Sequence, residues 1–280
     1  MNEEQITKSY YSDKNITNFY LSLWGGDSIH IGIYPENYKY NKKENKDIKL
    51  KHIKSAIDNK KKYICNFIKM YYRGNYNIAD FGSGYGGTAR YLYDNLFSKY
   101  YKTKSTIDCY DISHDNCIIN TFKNINNNYD IPVYNISFLN IPFSKKYNII
   151  YSEDAFIHIN NRDLIFKEIN YKMLVDGCLI FSDIILTDNC NHREIQEVYK
   201  RVNINNLETH ESYIEKAREY DLVYINSIEY KDSMLYHYKN IRDVIDENEN
   251  NKKIIDGLDN WIKHIELGNI TTKIFIFKKI

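Results

Sequence analysis

Apolar residues recur at helical spacing between about 48 and 72, at Ile53, Ile57, Ile64, Phe67, Ile68 and Tyr71, and predict one helix laid on a sheet. Beyond it the period changes. A short apolar run through Ile78 and Phe81 predicts a strand, and helical patterns over 87–100 and 113–126 flank a second strand at 106–111. Residues 132–138 predict a third strand, with Ile141-Pro142-Phe143 as its exit, and 147–152 a fourth, buried one. A helix over 161–174, stopped by Asp176-Gly177, leads to a fifth strand at 178–184. Residues 190–220 are helical and amphipathic, 223–230 a strand, 232–267 one long helix or two shorter ones, and 272–278 a closing strand. Alternating strands and helices imply a parallel sheet whose ligands bind beyond the carboxyl ends of the strands.

The N-terminal third is different. Residues 1–24 predict one or two short helices, with Tyr10, Tyr11, Phe19, Tyr20, Leu23 and Trp24 as apolar surface. The run Trp24-Gly25-Gly26-Asp27-Ser28-Ile29-His30-Ile31-Gly32-Ile33-Tyr34 follows neither period, and 36–47 is a polar, charged loop. Irregular runs of this kind pack against something specific, and loops carry function more often than cores do. The chain therefore divides into residues 1–75, a helical arm and active-site lid, and 76–280, a core with a helical cap around 188–222.

Composition narrows the function classes. With 280 residues the chain can bury a sizeable core. A formal net charge of +1 without a basic block leaves no electrostatic case for nucleic acid or an anionic membrane. No apolar run is long enough to span a bilayer, and Met1-Asn2-Glu3-Glu4-Gln5 is no signal peptide. The five cysteines, at 65, 109, 117, 178 and 190, lack C-x-x-C spacing. They favour a reduced, cytoplasmic setting over a disulfide framework, and no metal site is expected.

The most informative stretch is Asp80-Phe81-Gly82-Ser83-Gly84-Tyr85-Gly86, at the end of the first strand. Glycines there let the backbone turn sharply and approach a ligand, and the following helix aims free N–H groups at it. A tight turn with no ligand is the bland alternative. The next strand, however, ends in Asp111, at the spacing of an acid that holds ribose hydroxyls. An acid before the first glycine suits a cationic ligand better than a diphosphate, so the loop favours S-adenosyl-L-methionine over a dinucleotide. Asp80, Asp111, Glu153, Asp154, His158 and Asp183 all fall at or just beyond predicted strand ends, which marks that rim as a site.

Four segments then resemble the glycine, sarcosine and dimethylglycine N-methyltransferases that make betaine. They are 19–34, 80–91, 152–158, and Gly257-Leu258-Asp259-Asn260-Trp261 with the closing Ile274-Phe275-Ile276-Phe277. The W-G-G-D-x-I-H-x-G-x-Y run is the most specific of them. Phosphoethanolamine methyltransferases share a similar S-x-D-A-x-x-H segment and are the next relatives. The resemblance implies a Rossmann-like class I methyltransferase: an α/β fold with a seven-stranded, mostly parallel sheet, its last strand antiparallel. It implies S-adenosyl-L-methionine held by Asp80, Gly82, Gly84, Gly86, Asp111 and Ile112, with Ser137 and Phe138 beside the adenine and Ile29 and His30 crossing over.

The resemblance implies that Asp154 and His158 face the reacting centre, and that Tyr11 meets His158 from the arm, as in the phosphoethanolamine enzymes. Arg201, or failing that Arg193, would hold a substrate carboxylate. Trp24 would face the substrate ammonium by a cation–π contact worth roughly 0.5–2 kcal/mol, although a core role fits it equally well. Glu153 stands where an arginine is common in the phosphoethanolamine enzymes, and Ile184 where they have a phosphate-binding tyrosine. The expected substrate is a small amine, with a methyltransferase of another amine, such as phosphoethanolamine, as the alternative.

Overall fold

The computed structural model describes residues 3–72, 75–97, 105–191, 193–202 and 204–280. Five strands run parallel: β1 (Asn77–Phe81), β2 (Thr106–Tyr110), β3 (Val133–Tyr134), β4 (Tyr147–Glu153) and β5 (Met173–Leu186). β7 (Ile270–Lys279) inserts antiparallel between β5 and β6 (Leu222–Glu229). Among the described residues these form one seven-stranded sheet in the order β3-β2-β1-β4-β5-β7-β6. The expected Rossmann-like methyltransferase sheet, with its reversed last strand, is present.

Both faces of the central strands β1 and β4 and of the second half of β5 are buried, so these are largely apolar instead of alternating with polar residues. The edge strand β6 is mostly exposed or half-buried. Side-chain alternation instead sorts residues by face. Ile78, Ile149, Ile180, Ile274 and Ile276 point to one side. Helices α3 (Lys46–Tyr71), α4 (Gly87–Leu96), α9 (Lys231–Val244) and α10 (Lys252–Glu266) cover it. Phe81, Phe181, Phe275 and Phe277 point to the other, beneath α6 (Arg162–Lys172) and α8 (His210–Arg218). Phe181 stacks nearly parallel to Phe275 and Phe277, at centroid distances of 5.0 and 6.0 Å. No helix among the described residues is long and apolar enough to cross a membrane.

Several boundaries differ from the sequence pattern. The third strand is two residues long, not seven. The Asn135 amide donates back to the carbonyls of Asp111 and Ile112, and Ser137 caps a 3-10 turn over Phe138–Asn140, so the chain leaves the sheet early. The helix expected over 161–174 ends at Lys172, because Met173 already pairs with Tyr147 in β5. The stretch 190–220 holds two helices, α7 (Gln196–Arg201) and α8, and 232–267 holds α9 and α10. The end of the helix expected over 87–100 lies outside the described residues. The arm consists of α1 (Glu3–Tyr11) and α2 (Lys14–Leu23), and 25–34 crosses the carboxyl ends of the strands without regular structure.

Candidate active site

Two adjoining cavities open at the carboxyl ends of β1, β2 and β4, and share Ile29, Gly82 and Glu153 in their walls. Their floor is the turn after β1. Gly82 and Ser83 both donate to the Tyr110 carbonyl (2.9 and 3.0 Å), which folds the turn back onto the end of β2. At Gly82 φ is +78°, and a Cβ would stand 2.4 Å from that of Ala155. Glycine is required there on both counts. Gly84 and Gly86 line neither cavity. They shape the turn, Gly84 through its N–H to Asp111 and Gly86 as the left-handed residue before α4.

The larger cavity takes in Asp111, Ile112, Ser137 and Phe138 at one end. Asp111 accepts from Gly84 N (2.8 Å), Ser113 N (2.8 Å) and, more weakly, Asn116 Nδ2 (3.4 Å). Burial pushes its carboxyl up to about 6 despite those donors. The smaller cavity takes in His30, Asp80, Thr88 and Glu153. Tyr151 donates to Asp80 (2.6 Å), and burial holds the Asp80 carboxyl well above the usual carboxylate range.

At the other end of the larger cavity the arm meets the core. Tyr11 Oη lies 3.0 Å from His158 Nε2. Desolvation, reinforced by Arg162, pushes His158 down to about 4, so the imidazole is neutral near neutral pH. Glu3 accepts from the Asn160 backbone N–H (2.9 Å) and side-chain amide (2.6 Å), a second clamp between α1 and the loop after β4. Glu3, Glu4 and Thr7 thus join the cavity wall. No helical period in 1–11 marked them in advance.

No protein-family model matches the chain. It is 26% identical to the sarcosine/dimethylglycine N-methyltransferase of Aphanothece halophytica, over 97% of this chain and 96% of that one. A crystal structure from Galdieria sulphuraria, assigned as a sarcosine dimethylglycine methyltransferase, superposes with a TM-score of 0.81 at 25% identity, covering 95% and 98% of the two chains. The chain is a methyltransferase, related along its length to the sarcosine/dimethylglycine enzymes. The fold is also that of a Haemonchus contortus phosphoethanolamine N-methyltransferase solved with phosphomonomethylethanolamine and S-adenosylhomocysteine (TM-score 0.76, 13% identity). This chain is matched over its full length and that one over 60%.

In this methyltransferase several expected site residues hold other posts. Trp24 lines neither cavity: it sits in the core against Phe19, Tyr20, Tyr238 and His237, and donates to the His30 carbonyl (2.9 Å). Asp183 is not on the rim. It lies within β5, fully buried, and accepts from Tyr213 beside Arg162. The Arg201 side chain lies outside the described residues. Asp154 lines the larger cavity, but its carboxylate is already engaged by Ser182 Oγ (2.6 Å), the Ile31 N–H (2.8 Å) and Lys60 Nζ (3.1 Å). It anchors the crossing segment to the sheet, which is a positioning role. Lys60 was missed. It falls on the buried stripe Ile53, Ile57, Ile64 of α3, and a lysine there is the signal that could have found it.

Proposed function

We propose that this methyltransferase transfers methyl groups from S-adenosyl-L-methionine to the amine of sarcosine and dimethylglycine, with glycine as a possible earlier acceptor, toward betaine. The observation that carries this is the Tyr11–His158 contact, placed in the same cavity as Asp111 and the glycine turn. The cofactor fits the residues present: a turn open only to glycine, an acid at the ribose position, and an acidic pocket beside it. In this reading 1–75 is the arm that closes the site, and 76–280 is the cofactor-binding core with its cap around 188–222.

When bound, the cofactor supplies an electrophilic sulfonium methyl. The protein's part is to align the amine in line with that methyl, to exclude water and to take a proton. A small alkyl amine reaches the site largely protonated, and only its neutral form has a free lone pair. Tyr11 Oη would accept the ammonium proton as its own passes to the neutral Nε2 of His158. The arm helices close over the pair, held by Glu3 and Asn160.

Phosphoethanolamine is the competing acceptor, since that family shares the S-x-D-A-x-x-H segment. Ile184 argues against it. It is buried in the apolar core at the position of a phosphate-binding tyrosine and offers a phosphate nothing. Mass spectrometry of products from glycine, sarcosine, dimethylglycine and phosphoethanolamine tests the choice. Betaine from dimethylglycine is expected; methylated phosphoethanolamine with no betaine would overturn the assignment.

A further inference from the structure

Glu153 keeps one carboxylate oxygen open, although Thr88 hydrogen-bonds its side chain. Its side chain is 7% exposed, and its Oε1 is buried without a hydrogen-bond donor. His30 Nε2 stands 3.5 Å away but cannot fill the gap. His30 Nδ1 faces the Ile31 carbonyl at 3.2 Å, and a carbonyl only accepts, so the ring proton sits on Nδ1. Burial and nearby lysines keep the ring neutral, so Nε2 is bare. Two acceptors therefore face each other across the smaller cavity, with Thr88 Oγ1 3.4 Å from the same Nε2.

The charges are unbalanced in the same place. Glu153 and Asp154 share one fully buried ammonium, Lys60, which lies 3.1 Å from Asp154 and 4.0 Å from Glu153. The other cations acting on these acids or on Asp80 are held elsewhere. Lys61 bridges Asp27 and Asp58, and Arg90 donates to Asn120, Asn124 and the Tyr85 carbonyl. A buried carboxylate without a partner is costly, and a cation with several N–H donors at this point would satisfy Oε1 and Nε2 together.

We propose that Glu153, with His30 beside it, binds the α-ammonium of the methionine part of the cofactor. This rests on the S-adenosyl-L-methionine reading above. The substrate ammonium is the other cation in play, but Tyr11 and His158 line only the larger cavity, whereas Glu153 reaches the smaller one together with Asp80 and the glycine turn. A ligand whose ribose is held at Asp111 would extend its amino-acid end past Gly82 into that smaller cavity.

Calorimetry with two ligands tests it. S-adenosylhomocysteine carries the ammonium, and 5′-methylthioadenosine lacks the whole amino-acid end. Glu153→Gln should weaken S-adenosylhomocysteine at least tenfold and leave 5′-methylthioadenosine within about twofold. Unchanged S-adenosylhomocysteine affinity, or an equal loss for both ligands, would overturn the assignment. Should the variant fold poorly, the wild-type protein still decides. The analogue of S-adenosylhomocysteine lacking only the α-amino group must bind at least tenfold more weakly, and equal affinity refutes the proposal. If the wild type binds neither S-adenosylhomocysteine nor 5′-methylthioadenosine, the cofactor reading itself has failed.

Discussion

Tyr11 Oη and His158 Nε2 lie 3.0 Å apart, joining the first helix of the chain to the turn after the fourth strand. If the pair moves the amine proton, its loss affects turnover more than binding. His158→Ala should cut kcat about 10²–10⁴-fold, the usual range for a general acid–base, while the cofactor Kd moves less than threefold. Tyr11→Phe should give a smaller loss, and the double variant should be little worse than His158→Ala alone. Additive losses in steady-state kinetics would show that the two do not act as a unit.

Lys60 and Asp154 form a buried ion pair that also holds the Ile31 N–H. Removing one partner strands the other charge. Lys60→Met is expected to cost about 3–5 kcal/mol in urea denaturation. Adding Asp154→Asn should recover part of that loss, since the stranded charge goes. A Lys60→Met protein as stable as the wild type would deny the pair its anchoring role.

Asp111 is raised to about 6 by burial in the ligand-free protein. Ribose hydroxyls donate to the ionised carboxylate, so binding favours the charged form and lowers its pKa. Cofactor affinity should therefore be constant above about pH 7 and fall as pH drops through 6. Asp111→Asn should bind more weakly and lose that acid limb. Calorimetric titrations between pH 5 and 8 on both proteins give the comparison.

Gly32 packs against the backbone of α3, and a Cβ there would lie 2.6 Å from Ala56 C and Ile57 N. Backbone atoms cannot step aside as a side-chain end can. Gly32→Ala should destabilise by about 1–3 kcal/mol, as overpacking does, and weaken the neighbouring Ile33 N–H to Ala56 O bond (2.8 Å). Faster amide exchange at Ile33 would report the second effect; exchange as slow as in the wild type would refute it.

The W-G-G-D-x-I-H-x-G-x-Y run shows where pattern and packing part. Its residues are recognisable as specific, yet of the two roles open to Trp24, substrate contact and core packing, only packing decides. Trp24 is a core residue, while Ile29 walls both cavities and His30 the smaller one. Nothing in an aperiodic stretch says which way a side chain turns. Lys60 and Asp154 meet across 94 residues, and no spacing rule connects them. Asp183 looked like a rim acid because it stands near a strand end. Its strand runs two residues further than the pattern suggested, and the side chain turns to Tyr213.

Strand and helix order, the glycine turn and its acid, and the apolar runs that bury both sheet faces were determined by the sequence alone. Each is a local matter of period, backbone freedom and side-chain alternation, so it can be seen within a few residues. The meeting of Tyr11 with His158 is different: the residues suggested it only through a resemblance, and tertiary structure supplied the contact. Which acids keep an open oxygen was decided by the fold alone, because a buried carboxylate's freedom depends on donors brought to it from distant parts of the chain. Asp154 found three such donors, and Oε1 of its neighbour Glu153 found none.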